Sequence, residues 1–430
     1  MNPKYILALL GIPSEESDDY VVDVVDNSNN SAEIIIEQKD RRPCCPHCGS
    51  NEVVIKDYYT SVINNSIIKN YGLFIRIKNR RYYCKKCKKS FKQEFKSIDP
   101  RRRITKLVEI NILEDLKKMV TYSQVAKEYN LSVSSIVKIF DRKKPEIRLK
   151  LPEVLCIDEI YFLHNNDYEN KYVCVLSNPI TGDIVDIVYS RRQEFLYDYF
   201  GKIPTNEEQN VKYFISDMND TYQKIKNHFF YKATFIIDTF HVVKLFTEAL
   251  QVIRKRYLKN EDKNSVQYAY LKRNWKIFLK RRSSLKNIKE IDTNGVVYDP
   301  TFKLDMCLKK YPDLREAYLV KEDFLEFQKG LNYYQACEFI NFFIARLSTS
   351  NVKELNRISD TLSNWKDPII ASFCKNSFGL NLSNAIAEEN NNRIRTLFKI
   401  SYGFGDFRRT KDRILYIDRN RKTRWFLTWL

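Results

Sequence analysis

The sequence predicts a multidomain α/β protein, and three observations carry that prediction. The chain has 430 residues, 43% of them apolar, enough to build several cores rather than one. Residues 153 to about 250 alternate strand-like and helix-like runs: VLCID, KYVCVLS, DIVDIVYS, VKYFISD and TFIID, with helices near 192–201, 220–229 and 241–258. Upstream lies a β-rich stretch holding two C-x2-C pairs, and downstream a Lys/Arg-rich helical stretch without a clear strand over 251–380.

Each element has a reason in its residues. MNPKYILALL carries neither a basic leader nor a small-residue cleavage site after its short apolar run, so it reads as a helix of the mature protein. YVVDVV and AEIIIEQ alternate about the turn residues NSNNS. NPITGD between the second and third strands of the later region is a hairpin turn, so that pair is antiparallel. The strands that follow are separated by helices and are expected to be parallel. Residues 383–400 form a further helix, and a basic tail ends in RWFLTWL. No run approaches 18 uninterrupted apolar residues, so no membrane-spanning helix is expected. The composition shifts divide the chain into 1–98, a β-rich module; 99–150, helical; 151–258, the first part of the mixed sheet; 259–380, a helical insertion; and 381–430, a last core helix and basic tail.

The net charge of +19 points to a polyanionic partner, with nucleic acid the leading candidate. Five of the ten cysteines, Cys156, Cys174, Cys307, Cys337 and Cys374, stand singly in apolar surroundings and read as core residues in a reducing compartment. The other five cluster between 44 and 87. Cys45-Pro-His-Cys48 and Cys84-Lys-Lys-Cys87 each aim two thiolates at one point, and together they suit a tetrahedral structural Zn2+. Cys44 leaves the register open, and a redox dithiol is the alternative. Around the second pair stand Arg80, Arg81, Lys85, Lys86, Lys88 and Lys89 with Tyr82, Tyr83 and Phe91 interleaved, a pattern that suits phosphate contact.

Residues 121–144, TYSQVAKEYNLSVSSIVKIFDRKK, have helix-turn-helix character. Ser123 is a candidate cap for a first helix, Asn130-Leu131-Ser132 a turn, and Ser132 or Ser134 the cap of a second. The N-terminal residues of that second helix, Val133, Ser134, Ser135 and Lys138, would face the major groove of double-stranded DNA.

Acids supply the candidate chemistry. Asp158 ends the first strand and Asp217 a later one, and in open sheets with parallel strands sites collect at the carboxyl ends. A site for two Mg2+ (or Mn2+) ions requires further oxygen ligands. The helix LSNAIAEENNNRIRTLFKI supplies Glu388 on one polar face with Asn391, Asn392 and Arg395. A charged ligand on a buried strand end needs a partner such as a cation, which accounts for Asp158. Glu159, its strand neighbour, is expected on the opposite face or in solvent.

With these residues together, the chain resembles the ISL-three family of bacterial insertion-sequence transposases. CPHCGS and RRYYCKKCKKSF resemble that family's zinc-binding module, IDEIYF and SDMNDTY its first two acidic motifs, and SNAIAEENNNRIR its third. The resemblance implies an RNase H-like core with a helical insertion, a zinc ribbon-like module and a helix-turn-helix. It implies Asp158, Asp217 and Glu388 as the three acids of a DDE enzyme acting on double-stranded DNA, both terminal inverted repeats and target. Glu389 stands where the family has Gly, so two adjacent glutamates compete for the third role; Asn391 and Asn392 fix the register in favour of Glu388. DTFHVVKLF places Asp238 and His241 in a D-x2-H pattern, with His241 either an accessory active-site residue or a capped core histidine. Arg393, Arg395 and the basic tail would contact the DNA backbone. A homo-oligomer, a dimer in the synaptic complex, and a cytoplasmic, nucleoid-associated location in a bacterium are expected. The alternatives are a transposase-derived DNA-binding regulator and an RNase H-like nuclease without strand transfer.

Overall fold

The computed structural model describes residues 7, 13–27, 30–66, 68–94, 103–143, 148–162, 171–291, 297–327, 331–373, 385–400 and 406–420. The expected N-terminal helix, Cys374 and the closing RWFLTWL lie wholly or mostly outside these residues. The chain forms two compact units, 1–147 with 395–430, and 148–394.

The first unit begins with a sheet of five strands, β1 (Tyr20–Asn27), β2 (Ser31–Gln38), β3 (Val53–Asn64), β4 (Gly72–Cys84) and β5 (Ser90–Lys92), ordered β1-β2-β4-β3 with β5 against β4. β1 and β2 form the antiparallel hairpin expected about NSNNS. Alternation sends Ile34, Ile36, Ile75 and Ile77 to one face, where they bury with Tyr20 and Ile63. The sheet runs directly into the helical part. Thr105 caps helix Lys106–Asp115 and also donates its hydroxyl to Asn65. The Asn64 side chain donates to the Tyr129 carbonyl at 3.0 Å, and Lys69 pairs with Asp115 and Glu128 at 2.9 and 2.6 Å.

Helices Tyr122–Glu128 and Val133–Lys143 form the expected helix-turn-helix, with Asn130 at φ 52° in the turn. The first helix is capped by Thr121, whose hydroxyl accepts from the Gln124 N–H at 2.9 Å, and not by Ser123. Thr121 stands before the first helical residue, where an N-cap must stand; Ser123 is already inside. The Ser132 hydroxyl accepts from the Ser135 N–H and so caps the second helix. Val108, Ile112, Val125, Ala126, Ile136, Ile139 and Phe140 close the core.

The basic tail corrects its expected role. Helix Phe407–Arg419 packs into this same core through Tyr416, whose ring meets Phe140 edge-on at 5.3 Å. The buried Arg413 guanidinium donates to the Lys118 and Val120 carbonyls and lies over the Tyr122 and Phe140 rings. Arg409 pairs with Asp141 at 3.1 Å. These arginines therefore hold the helix-turn-helix together rather than presenting themselves to a DNA backbone.

The second unit is built on β6 (Val154–Tyr161), β7 (Tyr172–Ser177), β8 (Ile184–Val188), β9 (Tyr213–Ser216) and β10 (Thr234–Ile237), ordered β10-β9-β6-β7-β8. β7–β8 is antiparallel and β6, β9 and β10 run parallel, as the turn and crossover lengths predict. Leu155, Ile157, Phe214 and Ile237 face one large core, shared with Phe246 of helix Thr239–Asn260 and with Phe324, Phe339 and Phe343 of the helical insertion. On the other face Val154, Cys156, Ile215 and Ile236 form a small cluster, covered in part by Ala371. The insertion, expected to lack strands, contains a short antiparallel ladder of Glu290–Ile291 with Val297–Tyr298, too short to leave a period in the sequence.

Phe140 is fully buried and joins the helix-turn-helix to the terminal helix. Phe140→Ala should cost about 3–5 kcal/mol. Hydrogen exchange should show residues 104–143 and 406–420 losing protection together while 154–237 keeps its own; protection lost in only one of the two segments would contradict the shared core.

Candidate active site and metal centre

The two C-x2-C turns are built alike. Gly49 N–H donates to the Cys45 carbonyl at 2.8 Å and Lys88 N–H to the Cys84 carbonyl at 3.0 Å. Cys45 N–H then reaches Ser50 and Cys84 N–H reaches Lys89. Both turns need a left-handed residue after the second cysteine: Gly49 at φ 69° and Lys88 at φ 60°. Glycine adopts this region without strain, and lysine does so at about 1–2 kcal/mol. Antiparallel pairing of β3 with β4, which sets Val53 opposite Cys84, brings the two turns together, and Cys45–Cys87 and Cys48–Cys84 sulfurs lie 3.6 Å apart. All four sulfurs fall within 4.8 Å of one another. Zinc about 2.3 Å from each of four tetrahedral thiolates sets sulfurs about 3.8 Å apart, so the residues fit the ion. The Cys87 N–H, with other local donors, draws the Cys84 thiol down to about 7, toward the thiolate that binds metal. Cys44 stands outside the group and donates to Asn51, which settles the register. His47 is exposed and is not part of the group.

The basic residues around this centre divide. Lys85, Lys86, Lys88 and Lys89 are exposed. Arg80 is buried: its guanidinium pairs with Glu37 at 2.6 Å and donates to the Gln38 carbonyl. It ties β4 to β2 and is not available to phosphate, contrary to its place among the expected contacts. Arg81 pairs with Asp57 at 3.0 Å and lies over Tyr59. On the second helix of the helix-turn-helix, Ser134 and Lys138 are exposed and Ser135 half-buried. Both serine hydroxyls bond the Ser132 hydroxyl.

In the second unit the strand register sets up a row of acids. Cys156 pairs with Ile215, and Ile215 with Ile236. Two residues further on stand Asp158, still within β6, and Asp217 and Asp238, each the first residue past the carboxyl end of its strand. Burial raises the Asp158 carboxyl above its ordinary value, with Asp238 among the charges that add to the effect. Burial, then the Glu159 and Asp158 charges, push Asp217 up to about 6. The Oδ1 of Asp217 is buried without a hydrogen-bond partner. Asp238 caps helix Thr239–Asn260 through the Phe240 N–H, and His241 Nε2 lies 3.9 Å from its Oδ2. Lys244 and His241 are the cations felt at Asp217.

Glu159 faces away from Asp158, as alternation requires. It is paired on that side, accepting from Arg191 at 2.8 Å and from the Tyr222 hydroxyl at 2.8 Å. Tyr222 belongs to helix Asp220–Phe229, which starts just after Asp217, so this contact ties two acid-bearing segments together.

Helix Ala385–Ile400 carries Glu388 in its first turn. Glu388 and Glu389 are both exposed. Among the described residues the four cysteines are the only group of three or more metal-type ligands closed to within 4.8 Å; Asp158, Asp217 and Glu388 are not drawn that close. What the sequence reading did not assign is the contact of Asn391. Its Nδ2 donates to Asp158 Oδ2 at 2.6 Å. Its i, i+3 spacing from Glu388 was the signal in the sequence. Asn390 donates to the Gly182 carbonyl, and Arg393 donates to Asn390 at 2.9 Å, which ties Arg393 into its own helix; Arg395 is exposed.

Residues 155–414 match the family model described as transposase of the ISL3 DDE type. The chain belongs to the ISL3 family of transposases. Residues 93–142 match the helix-turn-helix domain of transposase family ISL3, and residues 41–87 the zinc-finger of transposase IS204/IS1001/IS1096/IS1165. No curated protein matches the chain. This transposase is therefore an enzyme of the transposase and nuclease type, with a DNA-binding helix-turn-helix and a zinc ribbon whose four cysteines suit structural Zn2+. No helix among the described residues is long and apolar enough to cross a membrane.

The raised Asp217 carboxyl has a stability consequence. The ordinary value of 3.8 stands for the unfolded chain and about 6 for the folded one. The folded state therefore holds an extra proton between these values, and its stability falls as pH rises through that window. Asp217→Asn removes the penalty. The zinc-loaded, Mg2+-free transposase should gain about 1–3 kcal/mol at neutral pH and nothing below about pH 4. Urea midpoints at the two pH values check this; a midpoint at neutral pH that is unchanged or lowered contradicts it.

Proposed function

We propose that this transposase cuts DNA at the terminal inverted repeats of its own bacterial insertion sequence and joins the freed ends to target DNA. The second unit is read as an RNase H-like core, with Asp158, Asp217 and Glu388 holding two Mg2+ (or Mn2+) ions. The observation that carries this reading is the Asn391–Asp158 hydrogen bond. It fastens the helix bearing Glu388 to the strand end bearing Asp158, whose strand pairs with the one that leads into Asp217. The donor set suits the ions: carboxylate oxygens are hard ligands, and the Asp217 Oδ1 is buried and unpartnered. When bound, the ions would supply Lewis acidity at the phosphoryl oxygen and lower the pKa of the attacking water or hydroxyl.

The chain's own residues divide the remaining work. Asp158 has both carboxylate oxygens oriented, Oδ1 by the Glu159 N–H and Oδ2 by Asn391. His241, 3.9 Å from the Asp238 carboxylate, would take an accessory role in moving a proton or contacting phosphate. Cleavage by water and attack by the freed 3′-OH are both in-line displacements that need no covalent protein intermediate. The zinc ribbon and helix-turn-helix would read the inverted repeats. Lys85, Lys86, Lys88 and Lys89 would contact phosphate, Ser134, Ser135 and Lys138 the major groove, and Arg395 the backbone. A dimer would hold two ends in a synaptic complex, in the bacterial cytoplasm at the nucleoid. The domain limits are proposed at 98, 150, 258 and 380, with residues 381–430 carrying the last core helix and the tail.

A strand-transfer assay tests the reading, with purified protein, the element's own ends, a supercoiled target and Mg2+. Joined products are expected from the wild type and a loss of at least about 100-fold from Asp158→Ala and from Glu388→Ala, with end binding retained. Cleavage without joining would leave a nuclease. End binding without chemistry in either metal would leave a regulator.

A further inference from the structure

We propose that Asn391 is a positioning residue for the metal site: its amide fixes the rotamer of the Asp158 carboxylate and couples that carboxylate to the helix of Glu388. The proposal rests on the reading of Asp158 as a metal ligand. Three observations argue for it. The Asn391 side chain is 2% exposed, so its single bond to Asp158, 2.6 Å long, is made away from competing water. The Asp158 Oδ1 accepts from its neighbour's backbone N–H at 2.8 Å, so each carboxylate oxygen has a donor and the rotamer is held from both sides. The Asn391 Oδ1 is itself buried with no hydrogen-bond partner. A buried amide oxygen left unpaired costs about 1–3 kcal/mol. That cost is accounted for if the oxygen accepts from a water held by the ion, since Mg2+ keeps several of its waters.

Asparagine meets these demands together, and its near relatives do not. Aspartate would set a second carboxylate against Asp158 and remove the donor. Alanine or leucine would remove the donor to Asp158 Oδ2. Outer residues of this kind typically hold metal affinity up by about 10–100-fold. The alternative is that Asn391 only packs the helix onto the sheet, in which case stability would change and metal affinity would not.

The test measures Mn2+ binding directly, by the electron paramagnetic resonance signal of the free ion, on full-length zinc-loaded protein so that the cysteine site is filled. Asn391→Ala and the near-isosteric Asn391→Leu are compared with the wild type and with Asp158→Ala. Both Asn391 variants should bind Mn2+ about 10–100-fold more weakly, with zinc content and end binding unchanged. Wild-type affinity in either folded Asn391 variant, with Asp158→Ala impaired, would overturn the role of Asn391 and leave Asp158 as a ligand. Wild-type affinity in Asp158→Ala would instead overturn the reading on which the proposal rests. Leucine fills the side-chain volume, so a fold lost on Asn391→Ala alone does not remove the test.

Discussion

Carboxylates at the ends of neighbouring parallel strands are the constraint around which the second unit is arranged. Asp158, Asp217 and Asp238 each follow by two residues the paired Cys156, Ile215 and Ile236. Burial raises the first two above their ordinary values, and nearby acids, Asp238 and Glu159 at Asp158 and Glu159 and Asp158 at Asp217, add to it. Such an arrangement persists only where surrounding structure holds it. Here the apolar ladder of the sheet fixes the strand ends, Asn391 holds Asp158, and Asp238 is engaged as a helix cap. Glu159, on the far side, is braced by Arg191 and Tyr222. A site under charge repulsion when empty is one that gains from a bound cation, and this links the fold of the sheet to its proposed chemistry.

The first unit answers a different demand, that of presenting recognition surfaces rigidly. Zinc-binding turns, sheet and helix-turn-helix are joined by bonds that cross every boundary in the sequence: Asn64 to Tyr129, Lys69 to Asp115 and Glu128, Arg413 to Lys118 and Val120. The C-terminal helix completes the helix-turn-helix core. Lysines at the second zinc turn remain exposed while the arginines beside them are tied to acids of the sheet. This division follows from geometry: a planar guanidinium makes two directed bonds at once and suits a fixed internal partner, whereas an exposed ammonium keeps its hydration and suits a mobile phosphate.

Much of this was legible in the sequence where local chemistry decides the outcome. C-x2-C turns specify a thiolate pair by themselves, and the strand patterns VLCID and VKYFISD put an acid at each carboxyl end. The hairpin at NPITGD and the parallel strands after it followed from connection length. Long-range contacts were not legible. Nothing in RRTKDRILYIDR distinguishes a helix that fills a core more than two hundred residues away from a basic tail, because an arginine lying over Tyr122 and Phe140 looks in sequence like one facing DNA. Arg80 was misread for the same reason: its partners, Glu37 and Gln38, are brought to it by a parallel strand pairing that no local pattern announces. Thr121 and Ser123 are equivalent as cap formers, and only the true start of the helix separates them. Asn391 stood on the correct face, but its partner lies on another strand.

The most direct test of the acid site is to let a bound metal report its own surroundings. Fe2+ substituted for Mg2+ in the zinc-loaded protein, with ascorbate and peroxide, generates hydroxyl radicals that cut the backbone close to the ion. The account predicts fragments ending near residues 158, 217 and 388, all suppressed by excess Mg2+ and all lost together in Asp158→Ala. Cuts near 158 and 217 with none near 388 would contradict Glu388 as the third ligand, and cuts unaffected by Asp158→Ala would contradict the site as a whole.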